Sequence, residues 1–143
     1  MFIVYKTTCL INNKIYIGVH ETENPDVFDG YIGNSINIYN RRWALDHPKF
    51  PFHYAVIKYG IQNFKRETLF KFDTKKEAYD KEAEIVTEEF IKLNNNYNVA
   101  VGGDSPKAKS CKVYQFDYNG NFVREYDQII LAAKLNNIGY SAI

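Results

Sequence analysis

"FIVYKTTCLINNKIYIGVH", residues 2–20, decides how the chain begins to fold. Residues 2–6 are aromatic and β-branched, the composition of a strand. Asn12 and Asn13 tolerate the positive φ that a tight turn needs. Residues 14–20 then read as a returning strand, so the stretch predicts an antiparallel hairpin. A side-chain period of two puts Tyr16, Gly18 and His20 on one face, and Ile15, Ile17 and Val19 on the other. The triplet Tyr-Ile-Gly in this hairpin, at 16–18, returns at 31–33. Whether either copy carries chemistry is the main functional question the sequence poses.

The acidic stretch 21–30, with Pro25 and Gly30, reads as a loop. From Ser35, the recurrence of Ile36, Tyr39, Trp43 and His47 predicts a helix, stopped by Pro48. A second short helix is expected at 52–59, closed by Gly60. A third strand is expected at 63–72. Residues 74–91 predict one long helix, with Thr74 as N-cap and Glu77 completing a capping box. Residues 104–111 are small and polar and read as a linker. Residues 112–126 predict a hairpin turning at Asn119-Gly120, followed by a short helix that Asp127 caps. The fold class is α/β (α+β): a small three-stranded antiparallel sheet flanked by helices, with a C-terminal hairpin-plus-helix appendage.

One acidic residue stands out on the long helix. On a 100° wheel, Glu82 falls in the middle of an arc made by Tyr79, Val86, Phe90, Ala83, Ala78 and Ile85, whereas Glu77, Glu84 and Glu88 point away. A carboxylate facing a core must be paired or bind a metal. It is either held by an Arg, Lys or Tyr, or it is a metal ligand or acid/base group. Glu89 is a weaker candidate nearer the helix end. On the first helix, Arg42 flanks the apolar face set by Trp43, while Arg41 points to the opposite side.

Composition limits the alternatives. Of the 143 residues, 45% are apolar, which is enough for a core in a single domain. No apolar run approaches the roughly 18–20 residues of a membrane span, and residues 1–9 do not read as a signal peptide. Cys9 and Cys111 have no ligand spacing and read as free thiols in a reducing cytoplasm. Residues 1–103 carry 13 basic and 13 acidic side chains. A nucleic-acid partner would therefore have to meet a local, not a global, positive field.

Taken together, these residues resemble the GIY-YIG endonuclease family. Ile3-Val4-Tyr5 stands for the first half of that family's signature, with Ile in place of Gly, and Tyr16-Ile17-Gly18 stands for the second. Arg42-Trp43 is similar to its first helix and "KYGIQNF" (58–64) to the approach to its third strand. Glu82 matches its helical metal-binding Glu, and "YNVAVGG" (97–103) its closing Tyr-Asn and Gly-Gly. Spacing from Tyr5 assigns the catalytic triplet to 16–18. Residues 19–33 then form an insertion with Tyr31 on its rim; a rival alignment uses 31–33 instead.

The resemblance implies a nuclease domain over 1–103 that hydrolyses DNA phosphodiesters, of homing or mobile-element type. It implies Mg²⁺ or Mn²⁺ on Glu82, transition-state stabilisation by Arg42, and Tyr16 as general base. His20 would assist as neighbour or proton relay, Tyr5 would position the water or phosphate, and Asn98 would tie the metal-site region together. Residues 112–143 resemble part of the modular DNA-binding repeat of phage-type homing nucleases, or else a hairpin and helix that only pack on the core. The implied partner is double-stranded DNA, in the host cytoplasm if the protein is phage-encoded. Two other readings stay open: a nuclease-derived domain that binds DNA without cutting, and a repair- or restriction-type nuclease.

Overall fold

The computed structural model describes residues 1–39, 45–103, 113–126 and 129–136. The opening hairpin forms as β1 (Phe2–Cys9) and β2 (Ile15–Glu21), antiparallel, with Tyr5 opposite Gly18 and Thr7 opposite Tyr16. Its turn uses Asn13 at φ 62°, and the Asn12 side chain accepts from the Lys14 N–H at 3.0 Å. A later strand, β5 (Phe64–Phe72), pairs antiparallel with the other edge of β1, giving the order β2-β1-β5. β1 is thus the central strand, and Ile3, Val4 and Tyr5 are all buried.

Both faces of this sheet are covered. Val4 and Ile17 pack on one face against Ala78, Val86 and Ile91. These come from α2 (Lys75–Ile85) and α3 (Glu88–Lys92), with Val86 between them. On the other face, Cys9 and Phe64 pack with Ile32, Ile36, Phe52, Val56 and Tyr97. Phe52 and Val56 belong to α1 (Pro51–Tyr59), which starts on a proline and ends at Gly60, φ 88°. Pro fits the first helical turn because its missing N–H has no helical partner there.

Two expectations need correction. Residues 36–39 are not helical. Tyr31–Gly33 (β3) and Ile36–Asn37 (β4) form a small hairpin instead, turning through Asn34 and Ser35 at φ 47° and 66°. Asn37 and Asn34 can satisfy backbone groups locally, which competes with helix. The Asn37 side chain does so, accepting from the Tyr39 N–H at 2.8 Å. The rest of that predicted helix, including Arg41, Arg42 and Trp43, lies outside the described residues, apart from its last few positions.

The long helix over 74–91 is broken in two. Val86 leaves helical geometry (φ −91°, ψ 73°), and Thr87 caps α3 by accepting from the Phe90 N–H at 3.2 Å. The freed Val86 carbonyl accepts from the Gly102 N–H at 2.8 Å. Apolar periodicity ran through the break, because both helices bury their apolar sides in the same cluster. Thr74 caps α2 as expected, but the Glu77 carboxylate accepts from the Thr74 hydroxyl (2.8 Å).

Toward the C-terminus, β6 (Val113–Phe116) and β7 (Phe122–Tyr126) form the expected hairpin, with Gly120 at φ 87°. The helix after it, α4 (Ile129–Leu135), lies on the main body: Tyr126 and Ala132 pack with Phe50 and Val99. The expected linker, 104–111, and the Asp127 cap lie outside the described residues.

Candidate active site

The site grows from the exposed edge of β2. Residues 95–98 run beside that edge: Ile15 N–H donates to Asn95 O at 3.1 Å, and Tyr97 N–H to Ile15 O at 2.8 Å. One step further the Asn98 side chain takes over. Its Oδ1 accepts from Ile17 N–H (3.0 Å) and its Nδ2 donates to Ile17 O (2.8 Å). A buried carboxamide thus satisfies both backbone groups of an edge residue, as a neighbouring strand would. Beyond it opens a cleft of about 330 Å³ lined by Tyr16, Asn34, Tyr79, Glu82, Asn98 and Gly103, among others.

Glu82 reaches this cleft from α2, half-buried, and its Oε1 accepts from the Gly103 N–H at 3.0 Å. Gly102 lies directly on the helix: a β-carbon there would stand 2.5 Å from the Glu82 carbonyl oxygen. The closing Gly-Gly therefore seats the segment that orients the carboxylate.

The two Tyr-Ile-Gly triplets meet around one phenol. Tyr5 is buried, and its ring lies 6.3 Å from that of Tyr16 and 6.0 Å, edge-on, from that of Tyr31. Space for it comes from both glycines. A β-carbon on Gly18 would stand 2.5 Å from the Tyr5 hydroxyl; one on Gly33 would stand 2.8 Å from the Tyr16 ring and 3.2 Å from the Tyr5 hydroxyl. Thr7 fastens the second triplet to β1 by donating to Ile32 O at 2.6 Å. The second copy is thus part of the same aromatic cluster, with Tyr31 beside Tyr5.

Tyr16 donates to Asn34 Oδ1 at 3.1 Å. Asn34 is itself held by His53, whose Nε2 donates to the Asn34 carbonyl at 2.8 Å while its Nδ1 accepts from the Lys49 and Phe50 N–H groups. These bonds fix the protonated nitrogen of His53 as Nε2. Burial pushes the Tyr16 phenol well above its ordinary range, and the neighbouring Tyr31, Glu82 and Tyr79 add to this. Tyr5 is raised by burial first, then by Tyr16 and Tyr31.

His20 lies on the same sheet face but serves a different cluster. Its ring stacks on Tyr31 at 4.3 Å and its Nε2 donates to Asp29 Oδ2 at 2.5 Å. Asp29 Oδ1 accepts from Arg66 Nη1 (3.0 Å) and from the Tyr31 N–H (3.1 Å). Arg66 also donates to Tyr31 O at 2.9 Å, and only 3% of its side chain is exposed. Burial alone would raise the Asp29 carboxyl; the His20 hydrogen bond, the Tyr31 N–H and the charges of His20 and Arg66 outweigh it and hold it below its usual range.

Of the residues expected from sequence, then, Tyr16, Glu82 and Asn98 line one cleft. Tyr5 lies beneath Tyr16, His20 lies beyond Tyr31, and Arg42 is outside the described residues. Asp29, Asn34, His53 and Arg66 were not anticipated, and of the closing Gly-Gly the role of the Gly103 N–H as donor to Glu82 was not. Arg66 alone carried a signal, since the strand alternation puts it on the Tyr5 face with Phe64. No group of three His, Cys, Asp or Glu side chains among the described residues forms a metal site by itself. A single carboxylate in a cleft of this size does suit Mg²⁺, which keeps several waters and takes one or two carboxylates plus substrate phosphate.

The chain is similar to proteins of Enterobacteria phage T4 that carry endonuclease names. It is 39% identical over 102 residues to "Putative endonuclease segD", a match covering 71% of this chain and 39% of that protein. It is 44% identical over 103 residues to "Putative endonuclease segB" (72% and 39%), and 34% identical over 100 residues to "Endonuclease segA" (70% and 38%). The chain spans about two-fifths of the length of these curated relatives. No family model matches it, and no solved structure matches it.

Proposed function

We propose that the protein is a metal-dependent endonuclease of homing or mobile-element type that hydrolyses DNA phosphodiester bonds, in the manner of the GIY-YIG family. The observation that carries this reading is one cleft lined by the Tyr16 phenol, the Glu82 carboxylate and the Asn98 carboxamide at the open edge of β2. The endonuclease names of the phage relatives agree with it.

Glu82 would hold Mg²⁺ or Mn²⁺, with water and a substrate phosphate completing the shell; the ion would neutralise charge on the phosphate and the leaving oxygen. Gly103 holds the carboxylate in place, and Asn98 holds the cleft wall to β2. Tyr16, aimed by Asn34, would orient the attacking water and, as the phenolate left once its own proton has passed to solvent, accept the water's proton. Its raised phenol makes it a poor base without a cation beside it, a role that Arg42 would share. Tyr5 supports the Tyr16 ring from below, and His20 with Asp29 braces Tyr31.

The test is plasmid nicking in Mg²⁺ and in Mn²⁺ by the wild type and by Glu82→Ala. Cleavage by the wild type and loss in the variant are expected. Equal cleavage by both removes Glu82 from the mechanism. The protonated Tyr16 favours a second reading, a domain that binds DNA without cutting; retention of duplex with no nicking under either metal would select it.

A further inference from the structure

A second cleft, of about 390 Å³, is lined by Asn94, Asn96 and Tyr97 and walled by α1, the turn of the first hairpin and α4. Among the described residues its charged lining is Lys14, Lys58 and Lys134, with no Asp or Glu. This is unusual for this molecule. Lys71, Lys76, Lys81 and Lys92 each pair with a carboxylate. Lys14 instead lies over the Tyr97 ring at 5.9 Å and Lys58 over the Tyr59 ring at 5.2 Å. Lys134 donates only to carbonyl-type oxygens: Asn96 O at 3.1 Å, Asn96 Oδ1 at 2.6 Å and Asn98 O at 2.5 Å. Like charges gathered around one cleft repel, and an anion between them relieves the repulsion. Burial, and then the charge of Lys14, push Lys134 down to about 7, the cost that such an anion would offset.

We propose that this cleft is a phosphate-binding site that takes a phosphodiester of a nucleic-acid strand. Lys14 and Lys58 make the direct contacts. Lys134, whose three protons are already donated, supplies field and holds the 96–98 segment. Amide groups of Asn12 and Asn94 and the rings of Tyr54 and Tyr59 line the same space and suit a sugar-phosphate. The chain is neutral over residues 1–103, so phosphate contact requires a local positive field, and this cluster supplies one. That the phosphate belongs to nucleic acid rests on the function proposed above; the site itself does not.

The experiment is duplex binding by the full chain in EDTA across a range of NaCl. The wild type is compared with Lys14→Gln/Lys58→Gln and with a control, Lys75→Gln/Lys76→Gln, on α2. Each phosphate contact contributes about 0.9 to the slope of log K against log salt. The double variant should lower that slope by about 1–2, with an unchanged melting temperature, while the control leaves it near wild type. An unchanged slope in the first pair, or an equal drop in both, overturns the proposal. In a second arm, inorganic phosphate alone is titrated; stabilisation of the wild type and not of the variant, with no change in duplex slope, marks a free-phosphate site and overturns the nucleic-acid assignment. Cleavage with an unchanged slope rejects this site and spares the nuclease reading; a lowered slope without cleavage does the reverse.

Discussion

Gly18→Ala tests the packing that brings the two triplets together. Gly18 has no left-handed φ, so alanine can adopt its backbone, and only the space is at issue. The added β-carbon would stand 2.5 Å from the Tyr5 hydroxyl and 2.7 Å from Cζ. Comfortable carbon contacts begin near 3.5 Å, so the phenol must move by about 1 Å. It has little room, being flanked by Tyr16 and Tyr31 and buried. Overpacking of this kind costs about 1–3 kcal/mol. Replacing a strand glycine recovers roughly 0.5–1 kcal/mol. The net loss should be about 1–2 kcal/mol, a fall in Tm of about 3–8 °C for a chain of this size. Calorimetry on Gly18→Ala, Tyr5→Leu and the double variant checks the cause. Leucine removes the outer ring, so the double variant should be at least 1 kcal/mol more stable than the two single losses added together. Additive losses, or a Gly18→Ala protein as stable as wild type, would refute the shared-phenol packing.

Tyr16→Phe should lower cleavage by about 100-fold or more, with a stability loss near 1 kcal/mol from the Asn34 hydrogen bond, read by nicking rates and thermal melts. Arg66→Met takes the guanidinium partner from Asp29 and, among the described residues, leaves it only His20 as an ion-pair partner. Because a third of the Asp29 side chain still meets water, the loss should be about 2 kcal/mol, below the 3–5 kcal/mol of a fully buried pair, measured by urea denaturation. Lys134 is depressed from 10.5 to about 7, so its stability contribution is present above pH 10.5 and is lost as pH falls toward 7. Tm of Lys134→Met relative to wild type should therefore rise between pH 10 and pH 7; parallel curves would contradict the burial of that ammonium. Thr87→Ala removes the cap of α3 and should cost about 1 kcal/mol, visible as a lower Tm.

The leading hairpin was legible because alternation and a turn signal agree over residues 2–20, and its Asn13 turn forms as read. Glu82 was legible for a less secure reason. Its wheel position assumed one helix through residue 91, yet the residues nearest to it belong to α2 before the break, so its place on the inner flank survives. The break itself was hidden. It depends on a hydrogen bond from Gly102 to the Val86 carbonyl, a contact between residues far apart in sequence. The small β3–β4 hairpin was masked by apolar residues at helical spacing, with Asn34 and Ser35 deciding against helix through positive φ. Asp29, His53 and Asn34 act through bonds between distant elements, and single polar residues carry no period from which such bonds can be read; for Arg66 alternation gave the face but not the partner.

The clasp of Gly102 and Gly103 on α2 has a consequence for biosynthesis. The carboxylate of Glu82 is set by a backbone N–H that follows it by more than twenty residues. A nascent chain that has displayed both tyrosines and the acid still lacks this last fastening until residue 103 leaves the ribosome tunnel. On the function proposed above, fragments ending before Gly102 should be inert in the nicking assay.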